Sequence, residues 1–343
     1  MNQPSRRRFL AAASALVAGG VAVPQLMRAA DAPAGAPPAP PAPGAAPART
    51  FKTKLHKAMI VNKISEELLK PYKDAGFEGV ELRGAQPEAD AKAGREIMEK
   101  MGMRVHSIMR GWAEFNTKDP KKLEQTIDET AHCLRTAGWY GADAVLTVPC
   151  RVDAKAMKIP EPWEFKIEFD EKTGHATKVV EGDNAPYKDY IEAQNWAIDS
   201  SREAVKKLIP VAEEAKTIIA LENVWNNLWC SPKIYRHFVA SFNHPHVKSY
   251  FDIGNHVKYV APEIWIRELG SLIVKCHVKD WRFQDGTDRK KGGFVHPRDG
   301  NINWPEVRKA LDEVGYNGWL TIEDGGLPLK EFNRRIELII AGE

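Results

Sequence analysis

The chain lacks a membrane-length hydrophobic run, a paired-cysteine motif, a large block of like charge and a glycine-rich phosphate loop. Each absence excludes something. The apolar stretch Ala11 to Pro24 falls short of the ~20 residues needed to cross a bilayer, so no stable membrane span is expected once the leader is removed. The four cysteines, Cys133, Cys150, Cys230 and Cys276, follow no metal or redox spacing, which excludes a thiolate-based metal or redox site. Cys133 and Cys276 fall in helix-like and strand-like segments and read as small core residues. Cys150 and Cys230 each follow an expected strand at the same rim, where a disulfide is one expectation for an oxidising compartment. Beyond the leader no basic block is longer than Arg289-Lys290-Lys291, so no electrostatic footprint for nucleic acid is present. Without a glycine-rich phosphate loop, sugar phosphates are poor substrate candidates.

The ends of the chain differ in composition from its body. Residues 1–30 carry Ser5-Arg6-Arg7-Arg8-Phe9-Leu10, an apolar stretch and small residues at Ala29 to Ala32, a pattern that resembles a twin-arginine export signal and implies a periplasmic destination. Residues 31–49 hold seven residues of Pro and Ala, Pro37 to Pro43, and read as an extended linker that cannot pack a core. The net charge of +3 comes from the leader, because removing Arg6, Arg7, Arg8 and Arg28 leaves 45 basic residues against 46 acidic ones. Residues 50–343 have the size of one eight-fold barrel and need no second domain.

Within that body, short apolar runs alternate with longer amphipathic segments about eight times, the pattern of consecutive βα units and hence of a (β/α)8 TIM barrel in the α/β class. Strands are predicted near 58–61, 77–82, 104–108, 143–148, 217–222, 247–252, 273–278 and 319–323. Helices are predicted over Ser65–Ala75, Asp90–Met101, Lys121–Ala137, Tyr190–Glu214, Pro232–Ser241, Pro262–Leu269, Trp304–Val314 and Lys330–Ala341. Gly76, Gly102, Gly138, Gly315 and Gly318 fall where helices should stop. Two connections are long. The segment 151–188 contains alternating residues on both sides of Asp170-Glu171-Lys172-Thr173-Gly174, which predicts an inserted hairpin after strand four, either a lid or a contact in a homo-oligomer. The segment 281–303, with His296, Arg298 and Asp299, is expected to border the barrel mouth.

Four of the late strands end on a residue able to hold a divalent metal: Glu222, Asp252, His277 and Glu323. A parallel barrel delivers all its strand ends to one rim, so these residues are expected to converge. A single acid after a strand is commonly only a helix cap, but four in succession form a ligand set. Oxygen-rich, with one nitrogen and no thiolate, it suits one divalent ion, Mn before Mg or Co, better than a structural zinc.

Gly76 to Leu82, Leu221 to Asn223, Phe251 to Asn255, His277 to Asp280, Asp299 to Trp304 and Thr321 to Glu323, in this order, resemble the xylose isomerase-like barrels. The likeness is to their branch of sugar isomerases and epimerases, which includes tagatose 3-epimerase, hydroxypyruvate isomerase and inosose dehydratase, and it covers roughly Lys54 to Ile340. The resemblance implies the same four metal ligands. It also implies a His three residues after the strand-six Asp and an Arg six residues after the strand-seven His, where this chain has Asn255 and Phe283, with Arg282 adjacent. The metal is thus supported more firmly than the epimerase activity.

Removing a proton beside a carbonyl needs an electrophile on the oxygen and a base near the C–H bond. A metal would supply the first and stabilise the forming enediolate; Glu222 and Glu323, from opposite sides of the mouth, are the candidate bases. Asn255, Lys279, Asp280, Glu81, His106 and Trp225 are the candidate substrate contacts, with Arg83 and Arg151 at neighbouring strand ends and Trp112 and Trp229 as wall packing. Asp280 is alternatively an orienting group for His277 or a cap. The expected partner is a small-molecule sugar or keto-sugar, and the expected activity is that of an isomerase or epimerase. A lyase or dehydratase on a keto-cyclitol or 3-keto-glycoside would share the enediolate, and a non-catalytic sugar-binding barrel is the reading from another class.

Overall fold

A computed structural model describes residues 50–284 and 292–343. The leader, the linker and Arg289-Lys290-Lys291 lie outside the described residues. In chain order the first elements are β1 (Leu55–Val61), α1 (Glu66–Ala75), β2 (Gly79–Arg83), α2 (Glu88–Lys100), β3 (Arg104–Trp112), α3 (Pro120–Tyr140) and β4 (Ala144–Val148). Next come β5 (Phe165–Phe169), β6 (Ala176–Val180), α4 (Lys188–Glu214), β7 (Ile218–Glu222), α5 (Pro232–Ala240), β8 (Val247–Asp252) and α6 (Pro262–Leu269). The last are β9 (Ile273–Val278), β10 (Asp280–Phe283), β11 (Gly292–Val295), α7 (Trp304–Glu313), β12 (Gly318–Ile322) and α8 (Leu329–Ala341).

Eight strands close a barrel in the order β1-β12-β9-β8-β7-β4-β3-β2, every neighbouring pair parallel. This is the (β/α)8 barrel expected from the alternation of apolar runs. Because strand side chains alternate, Ala220 and Tyr250 share the inward face with Leu146 and Val148 and form a small cluster with Met109 and Ala144. The next inward positions toward the C-terminal rim are Glu222 and Asp252. The larger apolar cluster, with Val80, Leu134, Val205, Phe251 and Ile336, packs between strands and helices.

Helix ends follow local chemistry. Ser65 caps α1 by accepting from the Leu68 N–H, and Asp119 caps α3 by accepting from the Lys121 N–H at 2.9 Å. Two predicted stops are displaced. Helix α3 runs through Gly138 to Tyr140 and is closed by Gly141 in the left-handed region at φ 69°. Gly138 serves a close approach instead, since a Cβ there would lie 2.8 Å from the Ala215 carbonyl. Gly318 opens β12 and does not end a helix.

Strands β5 and β6 pair antiparallel, joined by a turn in which Asp170 accepts from the N–H groups of Lys172 and Thr173. Arg202 of α4 donates to the Thr173 carbonyl, and His237 of α5 contacts the Glu171 carbonyl at 2.8 Å. The pair is braced against the helical flank, and from the segment 151–188 only Arg151 lines a cavity at the mouth. All four cysteines are buried and free; Ser201 Oγ donates to Cys150 Sγ at 3.2 Å, so the disulfide expectation is not met. Among the described residues no helix is long and apolar enough to cross a membrane.

The start of the barrel is clasped from outside by α7. Arg308, 2 % exposed, donates to Thr53 Oγ1, to the Thr53 carbonyl at 2.8 Å and to the Ile340 carbonyl at 3.0 Å, with the Phe51 ring over its guanidinium. Replacing it leaves buried carbonyls without donors, each costing about 1–3 kcal/mol. Arg308→Met is therefore expected to destabilise the chain by about 2–4 kcal/mol in urea unfolding. A midpoint equal to that of the parent protein would show that the clasp carries no stability.

Candidate metal centre and active site

The four strand-end residues meet. Ligand-capable atoms of Glu222, Asp252, His277 and Glu323 all lie within 4.8 Å of one another, the first three residues buried and the last partly so. Strand register explains the convergence: Asp252 of β8 is level with His277 of β9, and Thr321 of β12 is level with His277 on the other side. Glu323 follows β12 directly and does not belong to it, which leaves its side chain the more exposed. Glu222 and Glu323 come from strands separated by β8 and β9 and so approach from opposite sides.

The orientation of His277 is set from behind. Its Nε2 lies 2.6 Å from Glu81 Oε2, and Ser107 Oγ donates to Glu81 Oε1 at 2.6 Å. The other nitrogen, Nδ1, faces Glu323 Oε2 at 3.0 Å, Glu222 Oε1 at 3.7 Å and Asp252 Oδ2 at 3.8 Å. Yet His277 Nδ1 and Asp252 Oδ2 are buried without a well-formed hydrogen bond: the approaches to Glu222 and Asp252 are too long for one, and Asp252 Oδ2 has only the Lys279 ammonium at 3.1 Å. A ring nitrogen that offers a lone pair once its proton is lost, and three carboxylates facing inward in a buried cluster, fit a divalent cation. Such a set would cost several kcal/mol per charge if left uncompensated.

Charge in the cluster is otherwise balanced by protons and by Lys279. The Lys279 ammonium lies 2.8 Å from Glu323 Oε2 and 3.1 Å from Asp252 Oδ2. Burial works to raise Glu323, but the charges of His277 and Lys279 outweigh it and hold this carboxyl well below the usual range. Burial raises Glu222 to about 7, with Glu323 and Asp252 adding to the rise and His277 opposing it. Asp252 is raised by burial against the pull of Lys279. Burial disfavours a charged His277, but Tyr250, Glu81 and Glu323 together hold its imidazole well above its ordinary value. The two glutamates are thus held at different acidities in the metal-free cluster.

The other expected contacts divide into three groups. Asn255, Lys279 and Trp225 line the mouth with Arg83, Trp112 and Arg151 in a cavity of about 460 Å³ that also exposes Glu222 and Glu323. Asn255 donates its backbone N–H to Asp252 Oδ1 at 2.7 Å and turns its amide toward Glu222, while Trp225 Nε1 donates to the Asn255 carbonyl. Glu81, His106 and Asp280 do not reach this cavity. Glu81 sits behind His277 as its orienting carboxylate. His106 lies deeper in the barrel, stacked on Trp319 at 4.7 Å and 2.9 Å from Thr321 Oγ1. Asp280 pins the following loop, accepting from the N–H groups of Trp281, Arg298 and Ile302 and from Trp304 Nε1. Trp229 is fully buried against Phe238 and forms no part of the mouth wall.

Three residues escaped the sequence reading. Ser107 has only strand alternation to announce it. Gly254 is required because a Cβ there would meet Lys279, lying 2.9 Å from its carbonyl oxygen, which keeps the lysine over the carboxylates. Phe294, on the β10–β11 ribbon, stacks on Trp225 with ring centres 4.8 Å apart and walls the mouth. Nothing in its local pattern separates it from other loop aromatics.

Known proteins share this architecture. Residues 69–337 match the family described as xylose isomerase-like TIM barrel. An inosose dehydratase of Yersinia enterocolitica is 38% identical over 68 residues, 20% of each chain. The chain spans less than half the length of the curated relatives it matches. Among solved structures, a xylose isomerase domain protein from Planctomyces limnophilus superposes with a TM-score of 0.60 at 17% identity, covering 85% of this chain and 97% of that one. A D-tagatose 3-epimerase-like protein superposes with a TM-score of 0.61 at 16% identity, covering 83% and 96%. With four strand-end ligands converging on one rim and a family match over most of its length, the chain belongs to the xylose isomerase-like TIM barrels.

Proposed function

We propose that this chain is a metal-dependent enzyme that removes a proton from carbon beside the carbonyl of a small sugar or keto-sugar and returns it, as an isomerase or epimerase. The observation that carries the reading is the shared cavity: Glu222 and Glu323 enter it from opposite sides, with Asp252 and His277 at the same centre. Glu222, Asp252, His277 and Glu323 would hold one divalent ion, Mn before Mg or Co. When bound, that ion would polarise the substrate carbonyl and offset the negative charge developing on it.

The chain's own groups account for the rest. Glu222, on one side of the cavity, is placed to take a proton from carbon and to return it. Glu323, ionised beside Lys279, faces the opposite side of the same cavity. Lys279 and the Asn255 amide offer donors to substrate oxygens, and Arg83 and Arg151 line the outer wall. The same enediolate could instead lose a β-oxygen. The stretch of likeness to an inosose dehydratase keeps this lyase outcome as the second reading. The N-terminal pattern supports export by the twin-arginine route to the periplasm as part of the same proposal.

In heavy water, a panel of ketoses and keto-glycosides followed by NMR is expected to show deuterium entering at carbon beside the carbonyl, with an unsaturated product if the outcome is elimination. Glu222→Gln and Glu323→Gln are each expected to lower kcat by about 10²–10⁴-fold with the fold retained. Near-parental exchange in either variant would remove that carboxylate from the base role.

Because Glu222 and His277 are both held above their ordinary values, metal uptake must displace protons. Mn affinity is expected to rise with pH across about 6 to 8, with about one proton released per ion in calorimetry in buffers of different ionisation heat. Absence of Mn binding, or a pH-independent affinity, would defeat the metal assignment.

A further inference from the structure

The mouth is not one cavity but two that share walls. The first, already described, holds Glu222 and Glu323 and measures about 460 Å³. The second, about 410 Å³, is lined by Arg282, Val295, His296, Asp299 and Asp324. Lys279, Phe294 and Glu323 face both. Each volume lies within the ~300–1,000 Å³ typical of small-molecule sites, and a single sugar ring needs only one of them. Both candidate bases face the first chamber and only Glu323 faces the second, so a reacting ring belongs in the first.

The second chamber has fixed walls. His296 Nδ1 lies 2.6 Å from Asp324 Oδ2, and Arg335 Nη1 lies 2.7 Å from Asp299 Oδ1. Arg282 Nε donates to the Asp299 carbonyl at 2.9 Å. Phe294, 44 % exposed, is held by its stack on Trp225 and by the edge of Trp281, with Lys279 Nζ 5.0 Å from its ring centre. Donors and acceptors of both kinds around one aromatic face suit a second sugar ring: its hydroxyls find partners and its C–H face finds the ring.

We infer that the substrate is a two-ring keto-glycoside, with its reacting keto-ring in the Glu222 chamber and a second sugar ring in the Arg282–His296 chamber, joined across Lys279 and Glu323. This rests on the carbonyl-directed chemistry proposed above and names the substrate class for that site.

The test compares a free 3-keto-hexose, the matching 3-keto-disaccharide and a 3-keto 4-nitrophenyl glycoside on the Mn-loaded protein. Deuterium exchange or product formation gives kcat/KM. Ligand-observed NMR binding of the three parent sugars without the keto group gives affinity independently of turnover. The disaccharide is expected to exceed the free keto-hexose by about tenfold or more in kcat/KM. Val295→Trp, which fills the second chamber, is expected to remove most of that advantage while leaving the free hexose within about twofold. Equal turnover of one-ring and two-ring substrates overturns the inference and leaves the enzyme reading intact. A preference for the nitrophenyl glycoside overturns the sugar assignment of the second chamber. Failure of every keto-sugar to exchange counts against the enzyme reading. In that case the binding arm decides the inference: disaccharide binding weakened by Val295→Trp supports it, and no preference for two rings ends it.

Discussion

Three carboxylates brought together in the buried mouth of a barrel repel one another, and most of what surrounds them is a response to that repulsion. Lys279 reaches over Asp252 and Glu323, His277 turns Nδ1 inward, and burial, aided by the neighbouring carboxylates, raises Glu222. Glu81 and Ser107 sit one layer behind and fix the imidazole. A cation inserted among these groups would relieve the same strain. The cluster could therefore hold a positive charge at its centre, and the chemistry proposed for it starts from that fit.

The barrel was legible because its code is redundant. Eight apolar runs separated by amphipathic segments admit few other arrangements, and each observed strand overlaps the predicted one. The ligand set was legible for a related reason: a residue that ends a strand in a parallel barrel has its location decided by topology alone, whatever side chain it carries. Glu222 and Asp252 end their strands, His277 stands one residue before the end of β9 and Glu323 one residue beyond β12, differences too small to alter their placement.

Residues around that set were harder to read, because strand position gives the height of a side chain in the barrel but not its partner. Glu81 and His106 lie on adjacent strands and point inward, yet one supports His277 and the other stacks on Trp319. Asp280 follows His277 closely in sequence and still turns to the loop, where four donors compete for it. Trp229 and Trp225 are neighbours in sequence, but one is core and the other borders the cavity. Such choices are made by long-range packing, which local pattern does not record. Phe294 depends wholly on how the β10–β11 ribbon folds back over the rim.

That ribbon hangs from the end of β9 and is secured chiefly through Asp280, apart from the hydrogen bonds that hold the barrel closed. The carboxylate cluster and the Phe294 wall of the mouth are thus carried by separate pieces of the chain. An exchange of residues or a change of length in the ribbon would redraw what enters without touching the strands that assemble the carboxylates. A lineage built this way acquires new diets by editing an appendage, while the reactive centre and its scaffold are inherited unchanged.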